Sequence, residues 1–392
     1  MTSYAGAGAE AAARFSSRRS PLQGPVNSVT VSVPASSANL GSGYDCIGMA
    51  VDIWNDVTVT RADKFLITVE GDSAEAVPTD EGNLVCAGVK AAFKAAGIDE
   101  VPPLHYHLTQ RIPFARGLGS SSAAIVAGLL AGLTLLGHKL DITGKEELLQ
   151  LATEIEGHPD NVAPAIYGGI QLGLFSEREN RWMTTRVPVP HGLIFVLFVP
   201  PVGRKSNTKE LRKCVPTHIP MGDAVFNMGR LAWLVTCLLT NNTTDMREGF
   251  EDRLHQHQRG EAVYGHLYPM IDAAYEAGAR GVYLSGAGPS VMAICTGGHG
   301  DFFVQKDESL RKDHAVADAL MATADRIGIE GAVFIAHPTN CGGVVVATDP
   351  PYSTDLVKYA SVLSGDQSLW IGNVSVRAGQ QPQGHKQDQA SV

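Results

Sequence analysis

The chain is short of the features that mark membrane, secreted or nucleic-acid-binding proteins. Its longest apolar stretches, such as residues 192–202, fall well below the roughly 20 residues that a membrane span needs. The six cysteines (Cys46, Cys86, Cys214, Cys237, Cys295 and Cys341) lie far apart, with no CxxC pair and no close cysteine–histidine cluster. That argues against a disulfide framework or a structural zinc site, and it makes the reducing cytoplasm the expected compartment. Positive charge is scarce: the formal net charge is −9, so no basic face for a nucleic acid is expected. Charged residues make up 18% of the chain against 44% hydrophobic, the balance of a folded globular protein rather than a disordered one. An acidic chain that handles an anion must gather its cations at a few placed Arg and Lys residues.

At 392 residues the chain is long enough for two domains. Residues 1–27 are rich in Ala, Gly and Ser, with Arg14, Arg18 and Arg19 against the single acid Glu10, and read as a disordered leader. The alternative is a transit segment, which would place the protein in an organelle. A first domain is expected over 28–185 and a second over 186–378, divided where the charges of 178–190 give way to Val-Pro-Val-Pro. Residues 379–392, rich in Gln, read as a disordered tail.

Period-two and apolar runs predict strands at 29–33 (ending at Pro34), 53–60, 65–70, 104–108, 168–175 and 193–200, and shorter ones at 282–284, 291–294, 343–347 and 368–376. Helices are expected over 120–136, 145–156, 223–239 with Asp223 as its cap, 270–277 and 314–327. Residues 299–312 are polar and read as a surface insertion. The mixture is an α+β protein.

The sharpest motif is Pro113-Phe114-Ala115-Arg116-Gly117-Leu118-Gly119-Ser120-Ser121-Ser122-Ala123. Its glycines let the backbone approach a bulky anion, and they lead into a helix of small and apolar residues whose first N–H groups are unpaired. Serine hydroxyls can donate to phosphate, and one can ligate a metal. The commoner nucleotide loops are absent, since no Lys follows the glycines and no GxGxxG opens a βαβ unit. The bland alternative is a serine-capped turn before a buried helix.

The loop resembles the signature of the GHMP kinases, Pro-x-x-x-Gly-Leu-Gly-Ser-Ser-x-Ala. Three further stretches extend the resemblance in the same order: Pro34-Ala35-Ser36-Ser37-Ala38-Asn39-Leu40-Gly41-Ser42-Gly43-Tyr44-Asp45, then Glu156-Gly157-His158-Pro159-Asp160-Asn161, then Leu284-Ser285-Gly286-Ala287-Gly288-Pro289-Ser290. It runs from about residue 29 to about 377 and is similar to the branch of the family that acts on L-homoserine. The resemblance implies a two-domain fold, with an N-terminal ATP-loop domain and a C-terminal ferredoxin-like α/β sandwich. It further implies an enzyme that uses ATP and Mg²⁺ to phosphorylate a small-molecule alcohol.

What the resemblance implies for residues can be set against their chemistry. The metal falls to Ser121 and a helix glutamate, Glu156 or its near neighbour Glu154; oxygen ligands of this kind suit Mg²⁺. Asn39, Asp45, His158 and Asn161 fall where the family contacts substrate, although Asn and Asp are also ordinary turn residues. Thr208 and Arg212, one helical turn apart, and Arg259 match the family's carboxylate clamp; relatives carry Pro-Tyr where this chain has His257-Gln258. Asp45 and Asp160 are candidates for a catalytic base, with Arg212 aligning the substrate. No membrane or nucleic-acid partner is expected, and a homodimer is compatible with the sequence. The rival readings are a kinase of the same family acting on mevalonate or a sugar, and a non-catalytic metabolite sensor on the same fold.

Overall fold

A computed structural model describes residues 26–138, 142–201, 208–298, 307, 310–351, 368–371 and 374–377. The first sheet grows from two long strands. In β1 (Ser28–Ala38) Val29, Val31 and Val33 are buried and alternate with half-buried Ser and Thr, and β2 (Ile47–Arg61) returns antiparallel beside it. β-branched residues suit such a half-buried pleat. The sequence reading ends this strand at Pro34, whereas β1 continues to Ala38. Pro34 sits at a register shift against β2, where a missing N–H is tolerated.

The chain then forms β3 (Leu66–Gly71), α1 (Leu84–Ala95), β4 (Leu104–Gln110), α2 (Ser120–Leu135), α3 (Ile142–Glu156), α4 (Pro159–Tyr167), β5 (Ile170–Ser176) and β6 (Arg181–Val187). Two features fix these helices. The helices α1 and α2 meet so closely that a Cβ on Gly128 would run into the Val85 carbonyl and the backbone of Gly88. In α4, Pro164 has no N–H for the Asp160 carbonyl, and Gly48 of β2 packs against that same carbonyl, where a side chain would not fit. Pro159 at the first helical turn starts α4 immediately after His158. Neither α1 nor α4 was expected from the sequence: the apolar period of α1, which buries Val85, Cys86, Val89, Ala92 and Phe93, went unread, and α4 carries an internal proline that reads as a breaker.

β7 (Leu193–Val199) opens the second half with seven consecutive buried apolar residues. Alternate side chains serve two cores: Leu193, Phe195 and Leu197 pack with the first sheet and its helices, whereas Ile194, Val196 and Phe198 pack with the second-half helices. An uninterrupted apolar run is what a strand buried on both faces requires. After it come α5 (Thr208–Lys213), α6 (Met221–Leu239), α7 (Gln256–Ala262), α8 (Leu267–Glu276), β8 (Gly281–Leu284), β9 (Val291–Thr296), α9 (Asp313–Ile327), β10 (Ala332–Ala336) and β11 (Val344–Asp349). The second sheet is antiparallel in the order β10-β7-β9-β8, with α8 and α9 against it. β11 crosses back and pairs with β1, giving a seven-stranded first sheet ordered β11-β1-β2-β4-β3 with β5 and β6 branching from β2. A separate ribbon joins β12 (Ser368–Ile371) to β13 (Val374–Arg377).

Asp223 does not cap α6. The helix starts at Met221 behind Pro220, and Asp223 sits in its first turn, paired with Arg253 at 3.1 Å. Residues 1–25 and 378–392, and most of 299–312, lie outside the described residues, so the expected leader, tail and insertion are not addressed. Among the described residues no helix is long and apolar enough to cross a membrane.

Overpacking a tight helix contact costs about 1–3 kcal/mol. Gly128→Val should therefore lower the apparent Tm by roughly 5 °C in a calorimetric scan. An unchanged Tm would show that the α1–α2 contact yields without cost.

Candidate active site

The chain enters α2 through a run of left-handed residues, Ala115 (φ 54°), Gly117 (φ 74°) and Gly119 (φ 67°). Two of them also lie against neighbouring elements: a Cβ on Gly117 would run into the Ser285 carbonyl, and one on Gly119 into the Ser36 hydroxyl. Glycine is needed at both places for conformation and for space. Gly119 is the N-cap residue and offers no side-chain acceptor, so the first amides of a 16-residue helix are left for a ligand.

The three serines then divide their work. Ser120 accepts a bond from the Ala115 amide at 3.2 Å and closes the loop. Ser121 and Ser122 both donate to Glu156 Oε1, at 2.8 and 3.1 Å. Glu156 is the last residue of α3, which brings a carboxylate to the mouth of the loop. Glu154, the alternative, is exposed and does not line the cleft. Pro113, Leu118, Ser122 and Ala123 are buried supports, and Phe114 lines the wall. Arg116 points away from the cleft: it is buried, donates Nη1 to the Ala115 carbonyl at 2.9 Å, and its Nη2 has no hydrogen-bond partner among the described residues.

The loop opens onto a cleft of about 1180 Å³, part of it open to solvent, between the two halves. At its far end the first motif meets the second half. Arg212 of α5 grips Asp45 bidentately, Nη1 to Oδ2 and Nη2 to Oδ1, both at 2.9 Å, and also donates to the Tyr44 hydroxyl at 3.1 Å. Burial opposes the charge on Arg212, but the hydrogen bonds and charge of Asp45 outweigh it and raise its pKa. Thr208 opens the same helix, and its side chain lies outside the described residues.

Arg259 of α7 is only 2% exposed. Its Nη1 lies 3.2 Å from the Gly286 carbonyl and 3.1 Å from His255 Nδ1, while its Nε has no partner among the described residues. No carboxylate of the described residues pairs with it, and burial pushes its pKa down. Tyr44 lies between the two arginines, its ring 5.8 Å from the Arg212 guanidinium and 5.5 Å from that of Arg259.

The remaining candidates also line the cleft, and several are already engaged. Asn39 donates to the Gly286 carbonyl at 2.8 Å and accepts from the Asp45 amide at 3.0 Å, so it ties two motifs together. Asn161 Oδ1 accepts from the Ser36 hydroxyl at 2.9 Å. Half-buried His158 and buried Asp160 form a close pair. Burial lowers the His158 pKa, but the charge and hydrogen bond of Asp160, with Asp45 and Glu156 nearby, more than reverse that and raise it to about 9. Ligand atoms of Asp45, His158 and Asp160 lie within 4.8 Å of one another.

The sequence reading gave no role to Tyr44, His255 or Ser285. Tyr44 adjoins Asp45 in the first motif, and that adjacency is a signal that could have been read. His255 and Ser285 act through neighbours distant in sequence. Ser285 donates to the Gly117 carbonyl at 2.7 Å and meets Ser37 at 2.7 Å. The Gly286-Ala287-Gly288 turn, part of the third stretch of the resemblance, thereby lies directly against the Gly117 loop.

Comparison with known proteins agrees with this arrangement. The family described as GHMP kinases N terminal domain matches residues 83–169, and that described as GHMP kinases C terminal matches residues 236–320. A homoserine kinase from Carboxydothermus hydrogenoformans is 38% identical over 318 residues, covering 81% of this chain and 96% of that protein. One from Desulfitobacterium hafniense is 39% identical over 308 residues, covering 78% and 100%. Among solved structures, a homoserine kinase from Cytophaga hutchinsonii superposes with a TM-score of 0.69 at 29% identity, covering 83% of this chain and 99% of that one. At this identity and coverage the chain belongs to the GHMP kinase family, in its homoserine kinase branch.

Proposed function

We propose that the protein transfers the γ-phosphoryl group of ATP to the δ-hydroxyl of L-homoserine, giving ADP and O-phospho-L-homoserine on the way to threonine. The observation that carries the substrate assignment is Arg259, a buried guanidinium at the cleft with no carboxylate partner among the described residues. A buried cation is stable only when paired, and a planar fork suits the carboxylate of an amino acid. The carboxylate of Asp45 lines the same end of the cleft and suits the ammonium of the same molecule.

The donor set beside the loop fits Mg²⁺. Ser121 and Glu156 are hard oxygen ligands already within 2.8 Å of each other, and Mg²⁺ keeps several waters in addition to one or two protein ligands. When bound there, the ion would neutralise charge on the triphosphate. The chain's own part is alignment and charge stabilisation, which is most of what phosphoryl transfer needs. The amides that open α2 and the Ser120 and Ser121 hydroxyls face the phosphates. Arg259 holds the substrate carboxylate, and Arg212 aligns the substrate through its grip on Asp45. Asn39 fixes the Asp45 backbone, and the Asp45 carboxylate accepts from the substrate ammonium or from its reacting hydroxyl. Asp160, held by His158, is the second carboxylate in reach, with Asn161 at the loop side.

Release of ADP with L-homoserine, measured against a panel of mevalonate and sugar alcohols, tests the assignment, and a preference for another alcohol would overturn it. Ser121→Ala and Glu156→Gln should lower kcat by about 10²-fold and raise the Mg²⁺ concentration needed for half-maximal rate. Wild-type Mg²⁺ dependence in both variants would remove the pair as ligands. Arg259→Ala should raise the KM for homoserine by about 10²-fold while leaving the KM for ATP close to wild type, and Arg259→Lys should not restore it. An unchanged homoserine KM would take Arg259 out of the clamp. Asp45→Asn should reduce kcat/KM for homoserine by on the order of 10²-fold, and full activity would exclude Asp45 as anchor or base.

A further inference from the structure

No step of the proposed transfer uses His255, although its ring is wholly buried between the first motif and Arg259. Its two nitrogens meet groups that leave the ring no choice of tautomer. Nε2 lies 2.8 Å from the Gly41 carbonyl, which only accepts, so Nε2 carries the hydrogen. Nδ1 lies 3.1 Å from Nη1 of Arg259, which only donates, so Nδ1 keeps its lone pair. Burial, the largest influence on the ring, outweighs the nearby Asp252 carboxylate and pushes its pKa down, and the charge of Arg259 acts in the same sense. The imidazole is therefore neutral, a fixed acceptor facing a guanidinium.

The surroundings hold that ring still. Asp252 accepts from the amides of Leu254, His255 and Gln256 and so fixes the start of α7. The Tyr44 ring stacks on the imidazole with centroids 5.1 Å apart. On Arg259, both hydrogen bonds to the described residues are made by Nη1, one to His255 Nδ1 and one to the Gly286 carbonyl. That carbonyl is shared with Asn39, whose bond is the shorter at 2.8 Å. Nε makes none, and with Nη2 it forms an edge that can meet a carboxylate through two parallel bonds.

We propose that His255 is a positioning residue for the amino-acid substrate: its Nδ1 lone pair holds Nη1 of Arg259 so that the Nε–Nη2 edge is presented to the substrate carboxylate. The inference rests on the assignment of Arg259 to that carboxylate. His255 does not line the cleft and acts only through the arginine. The task calls for an uncharged acceptor. A carboxylate in its place would pair with the guanidinium and compete with the substrate, and a protonated ring would repel it. A neutral imidazole orients the arginine and leaves its charge to be met by the ligand.

Amide substitutions separate the two nitrogens, because the Asn amide oxygen can stand where Nδ1 stands and the Gln amide nitrogen where Nε2 stands. His255→Gln keeps the donor to Gly41 and loses the acceptor for Arg259. It should raise the KM for homoserine by about 10-fold, with kcat and the KM for ATP within about twofold of wild type. His255→Asn keeps the acceptor and loses the donor, and its homoserine KM should stay within about threefold of wild type. A packing role alone predicts the reverse order, since Asn leaves the larger cavity. Should His255→Gln lack the wild-type circular dichroism spectrum, His255→Leu, which fills the space with neither nitrogen, replaces it with the same expected rise. In an Arg259→Ala background, His255→Gln should change the homoserine KM by less than about twofold, because the two residues act as a unit. If Arg259→Ala raised the KM and His255→Gln did not, the proposal would be overturned and the clamp would stand. Equal rises in His255→Gln and His255→Asn would overturn it too, as plain loss of packing. Were Arg259→Ala itself to leave the KM unchanged, the clamp assignment would fall and this inference with it.

Discussion

The site depends on one junction, the stack of three chain segments at Ser285. The Ser285 hydroxyl donates to the Gly117 carbonyl and meets Ser37, the Gly286 amide donates to the Ala38 carbonyl, and the Ser36 amide donates to the Leu118 carbonyl. Ser36, Ser37 and Ser285 are fully buried, so each of these bonds replaces water that cannot reach the groups. The phosphate loop, the first motif and the turn of the second half hold one another in place. The two helix-borne arginines are then brought to the same cleft by elements packed onto that junction.

Electrostatics follow from the geometry. In an acidic protein two guanidiniums stand around one aromatic ring, Tyr44, and one of them is buried. The Asp45–Arg212 pair is bidentate and half-buried, whereas Arg259 is buried beside a neutral histidine and a carbonyl. The difference matters, because Asp45 meets the charge of Arg212, whereas no carboxylate of the described residues pairs with Arg259. At the opposite end the Ser121–Glu156 contact collects oxygen donors where the α2 amides begin.

Much of this was legible in the residues, and for local reasons. The phosphate loop is a contiguous run whose glycines and serines each answer to a need of the backbone or of the phosphate. The unbroken apolar stretch of β7 announces burial on both faces. What escaped the reading is non-local. That β11 leaves the second half to pair with β1 is decided by contacts across more than 300 residues of sequence, not by anything in its own six residues. Asp45 and Arg212 both stood out as candidates, but only the fold shows that they grip each other. Pro34 and Pro164 look like stops, yet each is accommodated where its missing N–H is not needed, at a register shift and over the Gly48 contact. Pro220 explains the displaced start of α6: it is the N-cap residue, which puts Asp223 at the third helical position.

The two-sided burial of β7 has a consequence for how the chain is made. As the polypeptide leaves the ribosome, the first half emerges without Phe195 and Leu197 to complete its interior and without the strand that borders β1. Each half leaves apolar surface uncovered at their junction without the other, and the first sheet lacks its β11 edge until residues 344–349 have been made. The cleft therefore has no complete wall until both halves are present.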